Sequence, residues 1–585
     1  MRSFSVIYCA LCLLSVPGIS QEFSRVLSFQ ELFDEIIASP DSSYRLSNAE
    51  IVYDSQKDHR FRYRTALHQE DLRDTTIAYY GQYDKITIDK QIILTNIKFS
   101  RFAVVVARYH FTKPILIRGA DPEQGQITWY QCTFEEDFTA HNTGKYLRFF
   151  DCLFNGDTHV GNLDKEIFLQ FKFTDFKAIF RSTDTAGYID LLRVYSFTNA
   201  NSTLLIQDCN FESATDFDVV DLLSGSFAML RITDSNFATF IRMTAVKVAG
   251  NFVFSGNTLD SPIDLDGVGF PIHNSEAPWE QLQGNKITVG AGSMLPRDFV
   301  TFTAETDSQL ADRPNYRRLM SAYSKLLNLY RFHSDRESYN SCFREMKDTE
   351  TRRFNYLYRQ QPGFQTFFDW QINVFLRAFS DYGTRPAKAI LMSFYVICFF
   401  AVIYFFVPNS WDTLNRTRLM RHIRLLINYF RSKEGIRDLY EKEQKAQFEN
   451  YEEFRRYLEN SEKEIPFYFS ALGRPLYHFS MTNYRFASGI LKRTEILKGK
   501  WSDLPPGRQT YTSIIMGIWL IGFVLISVFI KALNAFTLSM NTFTTLGFGD
   551  IPIRGIARYL AILEGFIGWF MLTIFSVSLI GQILK

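Results

Sequence analysis

Three apolar stretches in the C-terminal part constrain this 585-residue chain more than any other feature. The stretches 389–407 and 511–530 carry no charged side chain, and 557–584 carries only Arg558 and Glu564. About 20 helical residues cross the ~30 Å hydrocarbon core of a bilayer, because each residue advances a helix by about 1.5 Å. The sequence therefore predicts a membrane protein with three transmembrane helices: 388–408, 509–531 and 556–585.

The N-terminus has the pattern of a secretory signal peptide. Arg2 precedes a short apolar run over 6–16, and the small residues Gly18 and Ser20 follow it. A positive residue, an apolar core and small residues at the cleavage point are typical of such signals. We therefore predict that 1–20 is a signal peptide and that the next domain is exported. An uncleaved anchor is the alternative.

Lysine and arginine are concentrated on one side of the predicted spans. Four arginines lie between Arg416 and Arg424, directly after the first span, and five basic residues lie between Lys492 and Arg508, before the second. Loops rich in Lys and Arg stay in the cytoplasm. The sequence predicts a multi-pass protein of the plasma membrane with a cytoplasmic helical linker over 409–508. The N-terminal domain is then extracellular or periplasmic.

The exported domain, 21–300, repeats a loose unit. In both 129–134 and 149–154 an apolar run leads to Cys and then to Phe, and the two copies are twenty residues apart. Weaker copies follow at 173, 197, 206–211, 232–237 and 252–254. This period, with short alternating strands and Asn, Asp or Gly turns, predicts stacked rungs whose Phe and Cys lie above one another. The pattern resembles right-handed parallel β-helix and pentapeptide-type solenoids. A β-sandwich is the alternative.

Four cysteines fall in the exported part, where disulfides are permitted: Cys132, Cys152, Cys209 and Cys342. Cys132 and Cys152 occupy equivalent rung positions, and neighbouring strands lie ~4.8 Å apart, within bridging distance. A disulfide is one interpretation. A stack of buried thiols that act as small hydrophobic groups is the other.

Two groups of aspartates are candidate catalytic or Ca²⁺ sites, because paired carboxylates serve both purposes. They are Asp216, Asp218 and Asp221, and Asp264 with Asp266. No Arg, His or Lys group accompanies them in the sequence, so solvated turn residues are the favoured interpretation. We predict that the protein is not an enzyme and has no cofactor. A formal net charge of +2, from 64 basic and 62 acidic residues, argues against nucleic acid as a partner.

A helical pattern replaces the rungs over 301–387. Leu319, Tyr323, Leu326 and Tyr330 recur at intervals of three and four, which is typical of an amphipathic helix. The sequence predicts a helical hairpin here, followed by a pre-membrane helix whose aromatic residues lie near the lipid interface.

The segment between the last two spans carries the functional prediction. Residues 534–544 suffice for about three helical turns, so this helix enters the membrane without crossing it. The next residues, 545–550, must then form non-helical backbone at membrane depth, which is tolerated only in protein or beside a polar pore. Gly547 and Gly549 alternate with larger residues and adopt positive φ without steric penalty. Carbonyl oxygens on one side of such a backbone replace the hydration shell of a monovalent cation.

The string Thr544-Thr545-Leu546-Gly547-Phe548-Gly549-Asp550 resembles the selectivity-filter signature of the potassium channel family, Thr-x-Gly-Phe-Gly-Asp. The resemblance covers 508–585, with an outer helix over 509–531, pore helix and filter over 534–550, and an inner helix over 556–585. It implies that carbonyl groups of the filter bind K⁺ in stacked sites, with Asp550 at the outer mouth. The implied K⁺ ligands come from Thr545, Leu546, Gly547 and Phe548, and the filter continues through Gly549 and Asp550. One chain offers one filter loop where the family has four, so a homotetramer is implied.

The resemblance also suggests roles beside the filter. Gly565 and Gly568 are candidate gating hinges, with close helix packing as the alternative reading. Glu564 is expected to support the filter. Phe536 and Phe543 are expected to brace it by packing, because Phe548 replaces the commoner Tyr and the pore helix lacks Trp.

The favoured prediction is a passive potassium channel whose partners are its own copies, K⁺ and membrane lipids. Gating is expected to respond to the linker or to an unidentified external or periplasmic ligand on the solenoid. Leu546 in place of Val, with Phe548, leaves a weakly selective cation channel as one alternative. A membrane-anchored β-helix that binds or cleaves glycans is the other.

Overall fold

The computed structural model describes residues 23–63, 79–99, 101–120, 125–162, 165–177, 190–196, 202–213, 219–223, 225–265, 267–289, 302–407, 505–544 and 555–583, with single positions at 420, 423, 424 and 427. The chain divides into two compact units, 1–384 and 385–584. The predicted signal peptide and nearly all of the predicted cytoplasmic linker lie outside the described residues.

The first unit contains a parallel β-helix, as the repeat predicts. In the described part of the chain its strands form three sheets, and within each sheet the strands of successive turns pair in parallel. Sheet A comprises Arg25–Ser28, Ser43–Val52, Gln91–Phe99, Ile115–Gly119, Phe138–His141, Thr158–Asn162, Asp190–Ser196, Val219–Leu223, Phe240–Thr244, Ile263–Asp264 and Ile287–Thr288. Sheet B comprises Ala103–Ala107, Gln126–Tyr130, Tyr146–Phe150, Phe168–Lys172, Ser202–Gln207, Ser226–Thr233, Lys247–Ser255 and Ser275–Glu276. Sheet C comprises Ile86–Ile88, Tyr109–Phe111, Thr133–Phe134, Leu153–Phe154, Asp175–Lys177, Asn210–Glu212, Asn236–Phe237 and Thr258–Leu259. The β-sandwich alternative is therefore wrong.

A tight corner follows seven of the eight described strands of sheet B, where the chain turns into sheet C. The first residue of each corner has a φ between 52° and 70°, in the left-handed region that most side chains avoid. These corner residues are Arg108, Gln131, Asp151, Phe173, Asp208, Asp234 and Gly256. At the first six, the backbone N–H donates to the last carbonyl of the sheet B strand on the next turn, as Gln131 does to Phe150 at 3.0 Å. This repeated hydrogen bond offsets the conformational cost of the corner.

A ladder of phenylalanines fills the interior behind sheet C. Neighbouring rings lie 4.6–5.3 Å apart between centroids and within 9° of parallel. The ladder comprises Phe111, Phe134, Phe154, Phe176, Phe211 and Phe237, each three residues after a corner. The predicted stacking of Phe is confirmed, but the ladder residue of one turn is Phe176 and not Phe173, which forms the corner. The predicted copy at 197 lies outside the described residues.

The cysteines of the rungs are buried free thiols, which corresponds to the second interpretation of Cys132 and Cys152. Each follows a corner directly, and its Sγ donates to the carbonyl of the residue two positions earlier; for Cys152 the acceptor is Phe150 O at 3.4 Å. Burial raises the pKa of the Cys209 thiol to about 12. The Cys209 thiol is therefore a packing group of low reactivity.

One helix covers the N-terminal end of the solenoid, and a series of helices of different lengths follows its C-terminal end. Helix α1 (Phe29–Ala38) begins at a capping box formed by Ser28 and Glu31. After the last strands come α2 (Trp279–Leu282), α3 (Asp307–Ala311), α4 (Arg313–Phe332), α5 (Arg336–Gln360) and α6 (Phe364–Ser380). The 3₁₀ turns are His59–Phe61 and Ile272–Asn274.

Helices α4 and α5 form the hairpin that the sequence predicts, joined by a Tyr323 hydroxyl that donates to Glu345 at 3.0 Å. Asp312 and Asp335 cap their N-termini. Tyr330 anchors the hairpin to the solenoid by donating to the Ala277 carbonyl at 2.8 Å. On α6 the aromatic rings of Phe364 and Phe368 are exposed.

Among the described residues of the second unit, three helices are long and apolar enough to cross a membrane: α7 (Pro386–Phe406), α8 (Pro506–Thr544) and α9 (Ile556–Ile583). Where the sequence predicts an outer helix and a separate pore helix, the structure has one helix of 39 residues. The reason is local, because no Gly or Pro interrupts the sequence between Gly522 and Thr544. Here we refer to 531–544 as the terminal segment of α8.

Candidate functional site

The predicted filter, Thr545 to Asp550, lies outside the described residues, so the site is known from its two flanks. One flank is the terminal segment of α8, which ends at Thr544. The other is α9, which begins at Ile556 after Gly555. The geometry of these flanks fixes where the intervening chain starts and where it finishes.

The end of α8 lies against the middle of α9 at two glycines. A Cβ atom placed on Gly568 would lie 2.1 Å from the carbonyl oxygen of Phe543, a distance that no side chain tolerates. At Gly565 the corresponding atom would lie 3.6 Å from the carbonyl oxygen of Thr542, an ordinary contact. Gly568 is therefore required for the close approach of the two helices, whereas Gly565 is not.

This contact fixes the ends of the segment that contains the predicted filter. Gly568 stands twelve residues after Ile556 (568 − 556 = 12), or about 18 Å along the helix axis. Residues 545–554 thus join a point beside the middle of α9 to its first turn. If α9 crosses the bilayer, Phe543 lies at membrane depth and Ile556 lies nearer one surface.

A buried carboxyl group connects three helices beside this junction. Glu564 on α9 has no exposed surface. It accepts a hydrogen bond from the Tyr404 hydroxyl of α7 at 2.7 Å, and its other oxygen forms a short hydrogen bond with the Ser539 hydroxyl of α8. The Ser539 hydroxyl also lies 2.8 Å from the Ile397 carbonyl oxygen of α7. We refer to Tyr404, Ser539, Glu564 and the Ile397 carbonyl as the carboxyl network.

Apolar contacts hold α7 along the terminal segment of α8. Phe400, Tyr404, Ala535 and Leu538 form one buried cluster. At one end of the contact Lys531 lies over the Phe405 ring, 5.1 Å from its centroid. Ser539 reaches Ile397 towards the other end, so the two helices run antiparallel over this stretch.

The structure places the remaining predicted site residues around the same junction. Phe543 is buried where α8 meets Gly568, and Phe536 packs edge-on against Phe394 of α7 with 6.4 Å between ring centroids. Helix α9 continues without a break through Gly565 and Gly568. The contact at Gly568 favours the packing interpretation of that glycine, and its role as a hinge stays a prediction.

Sequence reasoning missed Tyr404, Ser539 and the Ile397 carbonyl. One signal was available: Glu564 lies in an apolar span, and buried polar groups in proteins need hydrogen-bond partners. The sequence does not say which hydroxyl supplies them, because Tyr404 and Glu564 are 160 positions apart.

The described aspartates of the two candidate groups, Asp221 and Asp264, do not form a metal site. Asp221 is fully buried and paired with Arg242 and Arg193, so its interpretation as a solvated turn residue is wrong. It lies within a strand of sheet A, where the arginines of neighbouring strands are in register with it. Asp264 is also buried, and Asp216, Asp218 and Asp266 lie outside the described residues. In the described part of the chain no three His, Cys, Asp or Glu side chains are grouped to hold a metal ion.

Comparison with known proteins finds a family match in the part of the chain that contains the predicted filter and its two flanks. Residues 512–585 match a family model described as an ion channel. No curated protein and no solved structure matches the chain. The match includes most of α8, the predicted filter string and all of α9, so the chain carries an ion channel domain at this end. It does not include α7 or the solenoid.

Proposed function

We propose that the protein is a potassium-selective channel, with Thr545 to Asp550 as its filter. The observation that carries the proposal is the contact of Phe543 with Gly568. Because of it, the eleven residues 545–555, which include the filter string, connect a point beside the middle of α9 with its first residue, about 18 Å away. Eleven residues of extended backbone can span roughly 36 Å, so the string has room to line a pore before the chain returns to α9.

Four copies are proposed to surround the pore, since each chain supplies a single filter string. In this arrangement the carbonyl groups of Thr545, Leu546, Gly547 and Phe548 replace the water around K⁺. The channel is passive, so it is neither an enzyme nor dependent on a cofactor. We also propose the topology that the basic residues predict, with an exported solenoid, a plasma-membrane location and a cytoplasmic linker.

Ion flux through the purified full chain in liposomes tests the proposal. We expect K⁺ flux in the wild type and its loss in Gly547→Ala, because a Cβ at this glycine obstructs the backbone conformation that aligns the carbonyls. Gly517→Ala is the matched control, since nothing lies within 4 Å of a Cβ at that position. Flux that survives Gly547→Ala, or a protein that cross-links only as a monomer, contradicts the proposal.

The weakly selective cation channel remains the second candidate, because Leu546 and Phe548 depart from the family pattern. Reversal potentials in mixed K⁺ and Na⁺ separate the two. A reversal potential near that of K⁺ supports selectivity, and one near zero in symmetrical total cation supports the second candidate.

A further inference from the structure

The first membrane helix, α7, is bonded to both helices that flank the predicted filter, although it lies outside the matched channel domain. Tyr404 reaches Glu564 on α9, and the Ile397 carbonyl lies 2.8 Å from the Ser539 hydroxyl on α8. Ser539 stands six residues before Thr545, where the predicted filter begins. A displacement of α7 therefore acts on the helix that leads into the filter.

We propose that α7 is a third helix of the pore unit, that Glu564 is held there in its neutral, protonated form, and that Tyr404 is the residue that positions it. The proposal rests on the proposed function. It concerns how the pore is held and adjusted, and it assigns a role to Tyr404, which lies outside the matched residues 512–585.

The hydrogen count of the carboxyl network supports the neutral form. The network has three contacts: Tyr404 with Glu564, Glu564 with Ser539, and Ser539 with the Ile397 carbonyl. Each hydroxyl has one proton, and a backbone carbonyl has none. Tyr404 and Ser539 together supply two protons for three bonds. The third proton completes the set if it lies on Glu564, which then donates to Ser539 while Ser539 donates to Ile397.

The surroundings of Glu564 also favour the neutral form. The carboxyl group has no exposed surface, and its hydrogen-bond partners are two hydroxyl groups. A buried carboxylate without a cation is costly, so such a group takes up a proton instead. Phe400, Leu538 and Ile567 belong to the apolar cluster that includes Tyr404.

Three single substitutions in the full chain test these assignments, with K⁺ flux per assembled tetramer and the thermal midpoint as readouts. Glu564→Gln is neutral and keeps both an acceptor for Tyr404 and a donor for Ser539, so we expect flux and midpoint close to the wild type. Tyr404→Phe removes one hydroxyl, and we expect about a fivefold lower flux, the factor that corresponds to one ordinary hydrogen bond. Tyr395→Phe is the control, because Tyr395 is on the same helix and 55% exposed.

A double substitution distinguishes positioning from a general loss of structure. Tyr404 and Ser539 both act through Glu564, so Tyr404→Phe combined with Ser539→Ala is expected to lower the flux less than the product of the two single effects. Independent, multiplicative effects overturn the shared role. Equal flux in Tyr404→Phe and Tyr395→Phe overturns the role of Tyr404. A Glu564→Gln protein as impaired as Glu564→Leu overturns the neutral carboxyl.

Failure of the proposed function gives a different result. If the wild type carries no K⁺ flux, the channel proposal fails. The thermal midpoint is then the one readout that tests the carboxyl network. The network is then supported if Tyr404→Phe lowers the midpoint while Glu564→Gln and Tyr395→Phe do not. The network is refuted if Tyr404→Phe has the same thermal midpoint as the wild type.

Discussion

The two units of this protein bury a carboxyl group in opposite ways. In the solenoid, Asp221 has no exposed surface and is paired with the guanidinium groups of Arg242 and Arg193. In the membrane unit, Glu564 is equally buried, but its hydrogen-bond partners are the hydroxyl groups of Tyr404 and Ser539. The same chemical group is therefore balanced by charge in one unit and by hydrogen bonds in the other.

The difference follows from how each unit places its side chains. Parallel strands in register bring equivalent positions of successive turns together, so one row of sheet A carries Arg193, Asp221, Arg242 and Asp264 with alternating charge. Each charge in this row has a neighbour of opposite sign. Three packed membrane helices offer no such repeat, and a polar group there depends on a few individual partners.

Asp221→Asn is expected to have the largest effect. The substitution keeps the shape of the side chain but removes the anion that Arg193 and Arg242 share, and Arg242 then has only Asp264 in register with it. We expect a cost of about 3–5 kcal/mol in the free energy of unfolding. Hydrogen exchange of solenoid peptides in the full chain measures this cost. The exposed Asp260 provides a control, since Asp260→Asn removes a carboxylate from a turn. An effect below about 1 kcal/mol would place Asp221 among ordinary surface charges.

The rungs of the solenoid can be predicted from the sequence where they recur at a regular spacing. Phe134 and Phe154 are 20 residues apart and reveal the ladder, whereas Phe176 and Phe211 are 35 apart because a long insertion separates them. The charge alternation of sheet A escaped prediction for the same reason. Insertions of different length hide which Arg and which Asp share a row, and only the strand register identifies them.

Glu564→Leu is expected to have the second largest effect. Leucine fills most of the volume but leaves the Tyr404 hydroxyl without its acceptor, which costs about 1–3 kcal/mol for one buried polar group. No cation is stranded, so the loss is smaller than at Asp221. The thermal midpoint of the assembled protein measures it, and Glu564→Gln serves as the matched variant. A larger loss in Glu564→Leu than in Asp221→Asn would reverse the comparison of the two units.

In the membrane unit, features that depend on local sequence can be predicted, whereas those that depend on how the helices pack cannot. The spans follow from the lack of charge, and the filter string, which rests on Gly547 and Gly549, stays a prediction from the same kind of local sequence property. The division of α8 into two helices was not predictable, because nothing between Gly522 and Thr544 breaks a helix. The contact at Gly568 depends on how helices cross, and a single sequence does not contain that information.

A pH titration extends the comparison to a half-buried base in the solenoid, His141. Burial, with His159 and Arg118 nearby, lowers the pKa of His141 from 6.5 to about 4. Between these values the unfolded chain binds a proton that the folded chain does not, so stability is complete above about pH 6.5 and falls towards pH 4. We expect a loss of about 1–2 kcal/mol, since His141 is partly exposed to solvent.

His141→Gln isolates this effect from the other groups that titrate in acid. The stability difference between wild type and His141→Gln is expected to change below pH 6.5 and to stay constant above it. His59→Gln, at an exposed position, is the control and should follow the wild type throughout. A constant difference across the whole range would mean that His141 is protonated in the folded protein as readily as in the unfolded chain.

The smallest loss of stability is expected for a substitution at Cys152, because other turns of the solenoid already carry a hydroxyl residue at the equivalent position. On other turns the same position after the corner is occupied by Thr174 and Ser235, whose hydroxyls donate to carbonyls two residues earlier at 3.1 and 2.8 Å. The Cys152 thiol donates to the Phe150 carbonyl in the same way at 3.4 Å. Cys152→Ser therefore keeps the bond, and its cost should stay below about 1 kcal/mol.

Cys152→Leu gives the contrasting result, because a larger side chain does not fit between the rungs and overpacking costs about 1–3 kcal/mol. Ser539→Ala in the membrane unit completes the test, since Ser539 has no repeated equivalent and its loss breaks contacts to both Ile397 and Glu564. If Cys152→Ser destabilises the solenoid as much as Ser539→Ala destabilises the membrane unit, the tolerance of the repeat is refuted. If it does not, the solenoid accepts exchange among polar residues where the membrane helices require particular ones.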